Sequence, residues 1–542
     1  MGDIQNTVYR YHDETKHRPH RYARSLGFLD WATQPDPFLR LAGAPLAALP
    51  APSPDPDPAW DLVPAGALPP APLNPSTVSR LLMTSLALAA WKQVDGPDGR
   101  VLSRWALRVN PSSGNLHPTE GWLAAGPDAG LADGPALFHY RPDAHALERC
   151  RDLAPHAWAE APGAGRLLLA LSSIAWREAW KYGERAYRYC SHDVGHALAA
   201  VDLAAAALGW SAQLVTEPDD EALGAFLGCD RREGPEADHP DLLLVIDTTG
   251  RPAPAATPDL AALAAGGPWQ GRAEPLSGAH QTWPIIDEVR EAARWPGGPS
   301  APRGACAPAA PTELRTPRFT ALVRGRRSAV SMDGRTSMSA EAFFGLMGRL
   351  LPGGAPRPFG VLPWAPAVSL VLFVHRVDGL APGLYALVRD PGHLDPLKAA
   401  LRPSAMWASV PGAPADLPLF QLGAGDVRAV ARDLSCHQDI AADGAFAAAM
   451  LARFAPVIEA GGAAMYARLF WECGAIGQML YLEAEAAGVQ GTGIGCFFDD
   501  EVHRLLGLEG MDWQSLYHFT VGGGVPDARV RSEAAYRHLA GF

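Results

Sequence analysis

Four short strings carry residue types that could do chemistry. The first, Asn110-Pro111-Ser112-Ser113-Gly114-Asn115-Leu116-His117-Pro118, sets hydroxyls, carboxamides and a turn glycine ahead of an apolar run. Such a turn exposes backbone amides and small polar side chains on one concave surface, which suits a polyol chain or the edge of a planar heterocycle. The second, Arg326-Arg327-Ser328, offers planar cationic donors and a hydroxyl, the donor set that a phosphate dianion takes; Arg529 and Arg531 are further candidates. In the third, Gly491-Thr492-Gly493-Ile494-Gly495-Cys496, Gly493 and Gly495 flank Ile494, and the missing side chains would let backbone amides approach a ring. The fourth is Lys181-Tyr182. Oxidising a carbon beside a heteroatom needs a proton acceptor next to the hydride acceptor, and a lysine desolvated among aromatic groups becomes a usable base near neutral pH.

Each string also has a plain structural use: an ordinary turn, a solvated basic run, a glycine loop, a packing tyrosine beside an exposed lysine. No strand-GxGxxG-helix fingerprint and no P-loop accompanies them, so a Rossmann reading is poorly supported. His192 and His196 share the i, i+4 spacing of metal ligands near Cys190, but no fourth ligand is obvious, and no metal is expected.

The elements that must position these strings are of mixed type. Periodicity predicts helices over Thr77 to Trp91, His192 to Leu208, Ala340 to Leu350 and Phe470 to Ala487, and strands over Arg166 to Ser172, Leu242 to Ile246, Ser369 to His375 and Tyr517 to Val521. The two halves also align. Gly195 to Gly228 lies on Gly474 to Gly507 with one compensated gap, pairing Gly195 with Gly474, Leu203 with Leu482, Gly209 with Gly488, and Asp219-Asp220-Glu221 with Asp499-Asp500-Glu501. Upstream, Ala136 to Leu147 lies on Gly383 to Leu394. The expected division is an N-terminal arm (1–70) with a surface strap from Tyr9 to Phe38, a first domain (71–250), a Pro/Gly/Ala-rich linker (251–316) that a short amphipathic run from Trp283 to Trp295 interrupts, and a second domain (317–542).

A chain of 542 residues with 48% hydrophobic and 19% charged residues can bury two cores. Its net charge of -12 gives no basic face for nucleic acid. The polar start and the lack of any long apolar window lead to the expectation of a soluble, cytoplasmic protein without membrane partners. The seven cysteines are scattered without a CxxC pair, so they are expected to be reduced and mostly buried.

Taken in order along the chain, these strings resemble the nitroreductase superfamily, especially its SagB/ThcOx-type dehydrogenases. Their flavin-contacting Pro-Ser-x-Gly-x-Leu-x-Pro loop is similar to Pro111 to Pro118, and their Lys-Tyr segment is similar to Trp180-Lys181-Tyr182-Gly183-Glu184-Arg185-Ala186-Tyr187-Arg188-Tyr189. Their Arg-Arg-Ser element resembles Arg326 to Ser328, and their Gly-rich loop resembles Gly491 to Phe497 followed by Asp499-Asp500-Glu501. The resemblance spans about Tyr9 to Arg531. It implies an α+β fold of two nitroreductase-like domains in tandem, packed as an internal pseudodimer. It also implies flavin mononucleotide (FMN), held by Pro111, Ser112, Ser113, Gly114, Asn115, Arg326, Arg327, Ser328, Gly493, Ile494 and Gly495.

In that superfamily one subunit supplies the Arg-Arg-Ser and Gly-rich elements while its partner supplies the Pro-Ser loop. Here the losses are complementary. The first half has Leu68-Pro69-Pro70-Ala71-Pro72 and Ser211-Ala212-Gln213-Leu214-Val215 where the arginines and glycines belong. The second has Arg357-Pro358-Phe359-Gly360-Val361-Leu362 opposite the serine loop and Ala460-Gly461 opposite Lys181-Tyr182. One complete site per chain is therefore expected. The leading functional expectation is an FMN-dependent dehydrogenase that moves hydride from a substrate, such as an azoline in a modified peptide, to flavin N5, with Lys181 or Tyr182 taking the proton. A NAD(P)H-dependent nitro or quinone reductase and a flavin-binding scaffold with partner proteins in a biosynthetic complex are the alternatives.

Overall fold

The computed structural model describes residues 2–52, 57–66, 68–250, 257–299, 317–353 and 357–539. Residues 251–256 and 300–316 of the expected linker, Cys306 among them, lie outside the described residues.

Two seven-stranded antiparallel sheets dominate, and their strand orders match except at one edge, where Leu46–Ala48 comes from before the first sheet's other strands and Ala408–Ser409 from within the second's. From the centre to one edge, the first sheet runs Thr119–Ala125, Arg166–Ile174, Asp238–Asp247 and Ser211–Val215. The second runs Val368–Val374, Phe446–Arg453, Trp513–Gly522 and Gln490–Ile494. The central strands are continuous apolar runs buried on both faces, as strands covered by helices must be.

Each half sends one long helix into the middle of the molecule, Ala186–Ala207 and Met465–Ala486. The first is buried along its whole length. The helices cross where glycine meets glycine. A Cβ on Gly195 would stand 2.2 Å from the carbonyl oxygen of Trp471, and one on Gly474 would stand 2.2 Å from that of His192 and 2.8 Å from the Gly195 Cα. Residues that align with each other in sequence thus touch in space, which is how positions on a twofold axis behave. The alignment gap is unnecessary: the long helices start at Ala186 and Met465, the following strands at Ser211 and Gln490, and the next helices at Asp220 and Asp499, all with one separation. Asp220, not Asp219, is therefore the counterpart of Asp499.

The chain ends are exchanged. The helix Gly2–Glu14 belongs to the second half, where His12 Nε2 lies 3.2 Å from Gln514 Oε1 and its ring packs on Phe454 and Tyr466. Tyr11, His12, Thr15, Lys16 and His17 are buried, so this part of the arm is more than a surface strap. At the other end, Val530–Ala534 pairs antiparallel with Leu88–Asp95 of the first half, and Tyr536 accepts from Leu88 N (2.9 Å) and donates to Pro142 O (2.8 Å). This exchange explains the one misread element. The predicted helix Thr77 to Trp91 ends at Met83, where Thr84 and Ser85 hydroxyls bond back to Arg80 and Leu81 carbonyls, and Leu88 onward is a strand. Its pairing partner is far away in sequence, beyond any local pattern. The amphipathic run after Trp283 is the helix Pro284–Ala292, which sets Glu288 against Arg10 of the N-terminal helix. Among the described residues no helix is long and apolar enough to cross a membrane.

Gly195→Ala tests the crossing. In an exposed helix this change adds about 1 kcal/mol of stability, whereas overpacking the contact should remove about 1–3 kcal/mol. A higher urea midpoint for the variant would show that the helices do not approach here.

Candidate functional site

Where the two halves meet, a cavity of about 1260 Å³ opens. Its wall takes Pro111, Ser112, Ser113, Gly114, Asn115 and Tyr182 from the first half, and Arg326, Arg327, Ser328, Gly493, Ile494 and Gly495 from the second. Of the residues expected to be catalytic or to hold FMN, Lys181 alone is not on the wall. Its Nζ lies 5.2 Å from the centroid of the Tyr182 ring.

The serine turn is a rigid fitting more than a display of free hydroxyls. Ser113 donates through N (3.0 Å) and Oγ (3.1 Å) to Asp193 on the long helix. Ser112 Oγ accepts from His117 N at 2.8 Å. The Asn115 carboxamide donates to Ala106 O (2.8 Å) and meets His117 Nε2 (3.0 Å). Gly114 has a φ of 59° and sits under Tyr182: a Cβ there would stand 2.5 Å from the phenol oxygen. Any larger residue would expel that ring.

Opposite lies the arginine element. Arg326 is buried, donates to Val109 O (3.3 Å) and Arg108 O (3.2 Å), and lies 4.8 Å over the Tyr481 ring. Its Nη1 is buried and has no hydrogen-bond partner, and burial pulls the guanidinium below its ordinary pKa. An anionic ligand would relieve both costs. Arg327, Lys92 and Arg529 reach the same wall, and Ser328 Oγ is 2.8 Å from Tyr481 Oη. Arg531 does not reach it, since Asp95 holds it at 3.2 Å. The donor set therefore fits the phosphate of a mononucleotide, and the volume exceeds the roughly 300–1,000 Å³ of common small-molecule sites.

The glycine loop differs from expectation in its reason. The side-chain space of Gly493 is taken by Tyr517, whose hydroxyl would be 1.9 Å from a Cβ, and that of Gly495 by Tyr189 at 2.3 Å. These glycines admit tyrosines beneath the loop. Gly493 N donates to Tyr481 Oη at 3.0 Å, so that amide is already engaged. The following acidic pair anchors the arm. Asp499 meets Arg188 at 2.8 Å and Arg185 at 3.2 Å, while Asp500 meets Lys16 at 2.8 Å. Removing one partner from such a buried pair commonly costs about 3–5 kcal/mol.

Sequence reading missed the acids. Burial raises Asp193 to about 7, against the pull of Ser112 and Ser113. Glu178, beneath Ser112, is pushed well above the usual carboxylate range by burial and by Asp193, with Lys181 opposing. Burial and then Glu178 raise the Tyr182 phenol, which stays protonated. Nothing local marks Asp193 or Glu178 in a helical run. Their importance comes from tertiary burial. His192 and His196 bond to Leu516 O (3.1 Å) and Tyr517 Oη (3.2 Å), and among the described residues no group of three His, Cys, Asp or Glu could hold a metal.

Across the pseudo-twofold, the counterpart of Tyr481 is Asp202. Its buried carboxylate is bound by Arg357, from the segment opposite the serine turn, and the strand Ser211–Val215 packs on the turn Phe359–Val361. At Gly209 a Cβ would stand 2.3 Å from Pro69 O, so Leu68 to Pro72 is docked against the end of the first long helix.

Asp193 gives a pH test. Its folded value, about 7, lies above the ordinary 3.8, so the folded state holds an extra proton between these limits and loses stability as pH rises through them. Asp193→Asn removes that slope and keeps an acceptor for Ser113. Relative to the wild type, the variant should gain on the order of 1.4 kcal/mol for each pH unit between about 4 and 7. Parallel denaturation curves at all pH values would show that Asp193 is not buried as described.

Comparison with known proteins agrees with this geometry. Residues 402–523 match the model of the nitroreductase family. A solved structure from Anabaena variabilis, assigned as a nitroreductase, matches at a TM-score of 0.68 and 21% identity, covering 96% of this chain and 99% of that one. Part-chain matches include a protein of Ralstonia eutropha assigned as a nitroreductase (TM-score 0.28, 15% identity, 43% of this chain and 97% of that one). Another is a chain of the E. coli microcin synthetase McbBCD complex with truncated pro-MccB17 bound (0.25, 17%, 45% and 93%). No curated protein matches. The second half thus carries a nitroreductase-family match, and the chain shares the fold of that solved structure along its whole length.

Proposed function

We propose that the interdomain cavity holds one FMN and that the protein is a dehydrogenase of the SagB/ThcOx type, with azoline rings in a modified peptide as the substrate class. The observation that carries this reading is the buried, unpartnered Arg326 Nη1 on the same cavity wall as the serine turn. The related position, filled by Arg357 and Asp202, supports a single site.

When bound, FMN supplies a hydride acceptor at N5. Arg326, Arg327 and Ser328 hold the phosphate end. The turn Pro111–Asn115, with its hydroxyls spent on Asp193 and His117, positions a ring through its backbone shape. Tyr182 and Tyr189, their rings 4.5 Å apart, wall the site against water. Tyr182 is the proton-handling group at the cavity, and Asp193, half ionised near neutrality, is the sink on the same wall. Lys181 acts from beside the Tyr182 ring, keeping Glu178 from rising further.

The purified protein should carry about one flavin per chain by absorbance. Arg326→Ala with Arg327→Ala should release it, and retention would place the phosphate elsewhere. Tyr182→Phe should keep the flavin yet slow azoline oxidation by about 10²–10⁴-fold, with the wild-type rate rising through pH about 7 as Asp193 ionises. Steady NAD(P)H oxidation with a quinone, and no azoline turnover by the flavin-loaded protein, would favour a reductase instead.

A further inference from the structure

One residue of the cavity wall, Cys496, belongs to a pair of thiols that sequence spacing hides. Cys436 and Cys496 are distant along the chain, yet their Sγ atoms lie 2.6 Å apart. Both are partly accessible, whereas Cys150, Cys190, Cys229 and Cys473 are buried. Cys496 directly follows the glycine loop and lines the cavity. One side chain holds the two segments together: Gln438 Nε2 donates to Ser435 O (2.8 Å) and Cys496 O (3.0 Å). Arg185, whose Nη2 donates to Gly495 O at 3.2 Å, brings a fixed positive charge to the pair.

We propose that Cys436 and Cys496 are a second redox site of this protein, cycling between dithiol and disulfide by exchange with low-molecular-weight disulfides and thiols of the glutathione class. The hydrogen bond between the sulfurs pushes Cys436 up and Cys496 down, with Arg185 favouring the thiolate at both, so Cys496 loses its proton first. The Cys496 thiolate attacks one sulfur of oxidised glutathione, forming a mixed disulfide and expelling one glutathione thiolate. Cys436 then gives up its proton and attacks Cys496 Sγ, closing the protein disulfide and expelling the second glutathione. Two protein thiols are oxidised, and one glutathione disulfide is reduced to two thiols. The sulfurs need little movement to close this bond. Closure ties the glycine loop covalently to the segment after Leu434. Neither sulfur requires a cofactor for this exchange, so the inference stands apart from the flavin reading.

The test uses the full-length protein in a Cys306→Ser background. After incubation with oxidised glutathione, free thiols are alkylated in denaturant and peptides are mapped by mass. The expected result is loss of two thiols, a peptide joining Cys436 to Cys496, and reversal by reduced glutathione. Cys436→Ser should trap Cys496 as a stable glutathione adduct, which also reports on a folded site. Cys436 and Cys496 both still free after oxidation, or a glutathione on each with no joined peptide, would overturn the proposal.

Discussion

The structure depends on the contact of two helix backbones at Gly195 and Gly474. Without side chains at these positions the long helices can touch, and the sheets behind them are drawn close enough to leave one shared cavity. The contact also explains why polar residues are tolerated on a helix buried all round. His192, His196 and Asp202 each find a partner in the other half, and Asp193 finds one in the serine turn of its own half.

A symmetric crossing yields two equivalent positions, and the chain treats them oppositely. At one, Tyr481 supports Ser328 and Gly493 and leaves room beside Arg326. At the other, Asp202 stands in place of that tyrosine and Arg357 closes on it. A single acid for aromatic exchange, matched by an arginine on the facing turn, converts a place for a ligand into an internal ion pair. Joining both copies in one chain is what permits such divergence, since identical subunits would have to change both positions at once.

The long helices, the central strands and the repeat were legible because each is a local pattern, and the strings that line the cavity stood out because each is contiguous. What stayed hidden is non-local. The strand at Leu88 is made by pairing with Val530 to Ala534, the acids Asp193 and Glu178 matter through burial, and Cys436 meets Cys496 only in the fold. The glycine loop shows a subtler difference: Gly493 and Gly495 line the cavity, but the pressure for glycine comes from Tyr517 and Tyr189.

The exchanged ends bear on how the molecule is made. The helix Gly2–Glu14 is translated early in this stretch of chain, yet its Tyr11 and His12 are buried against Tyr466 and Gln514, which are translated much later. The strand at Leu88 likewise waits for the final segment to complete its sheet. Neither half can reach its finished state before the other has been made, so the last steps of folding are long-range closures, with the apolar face of the helix Gly2–Glu14 uncovered until then.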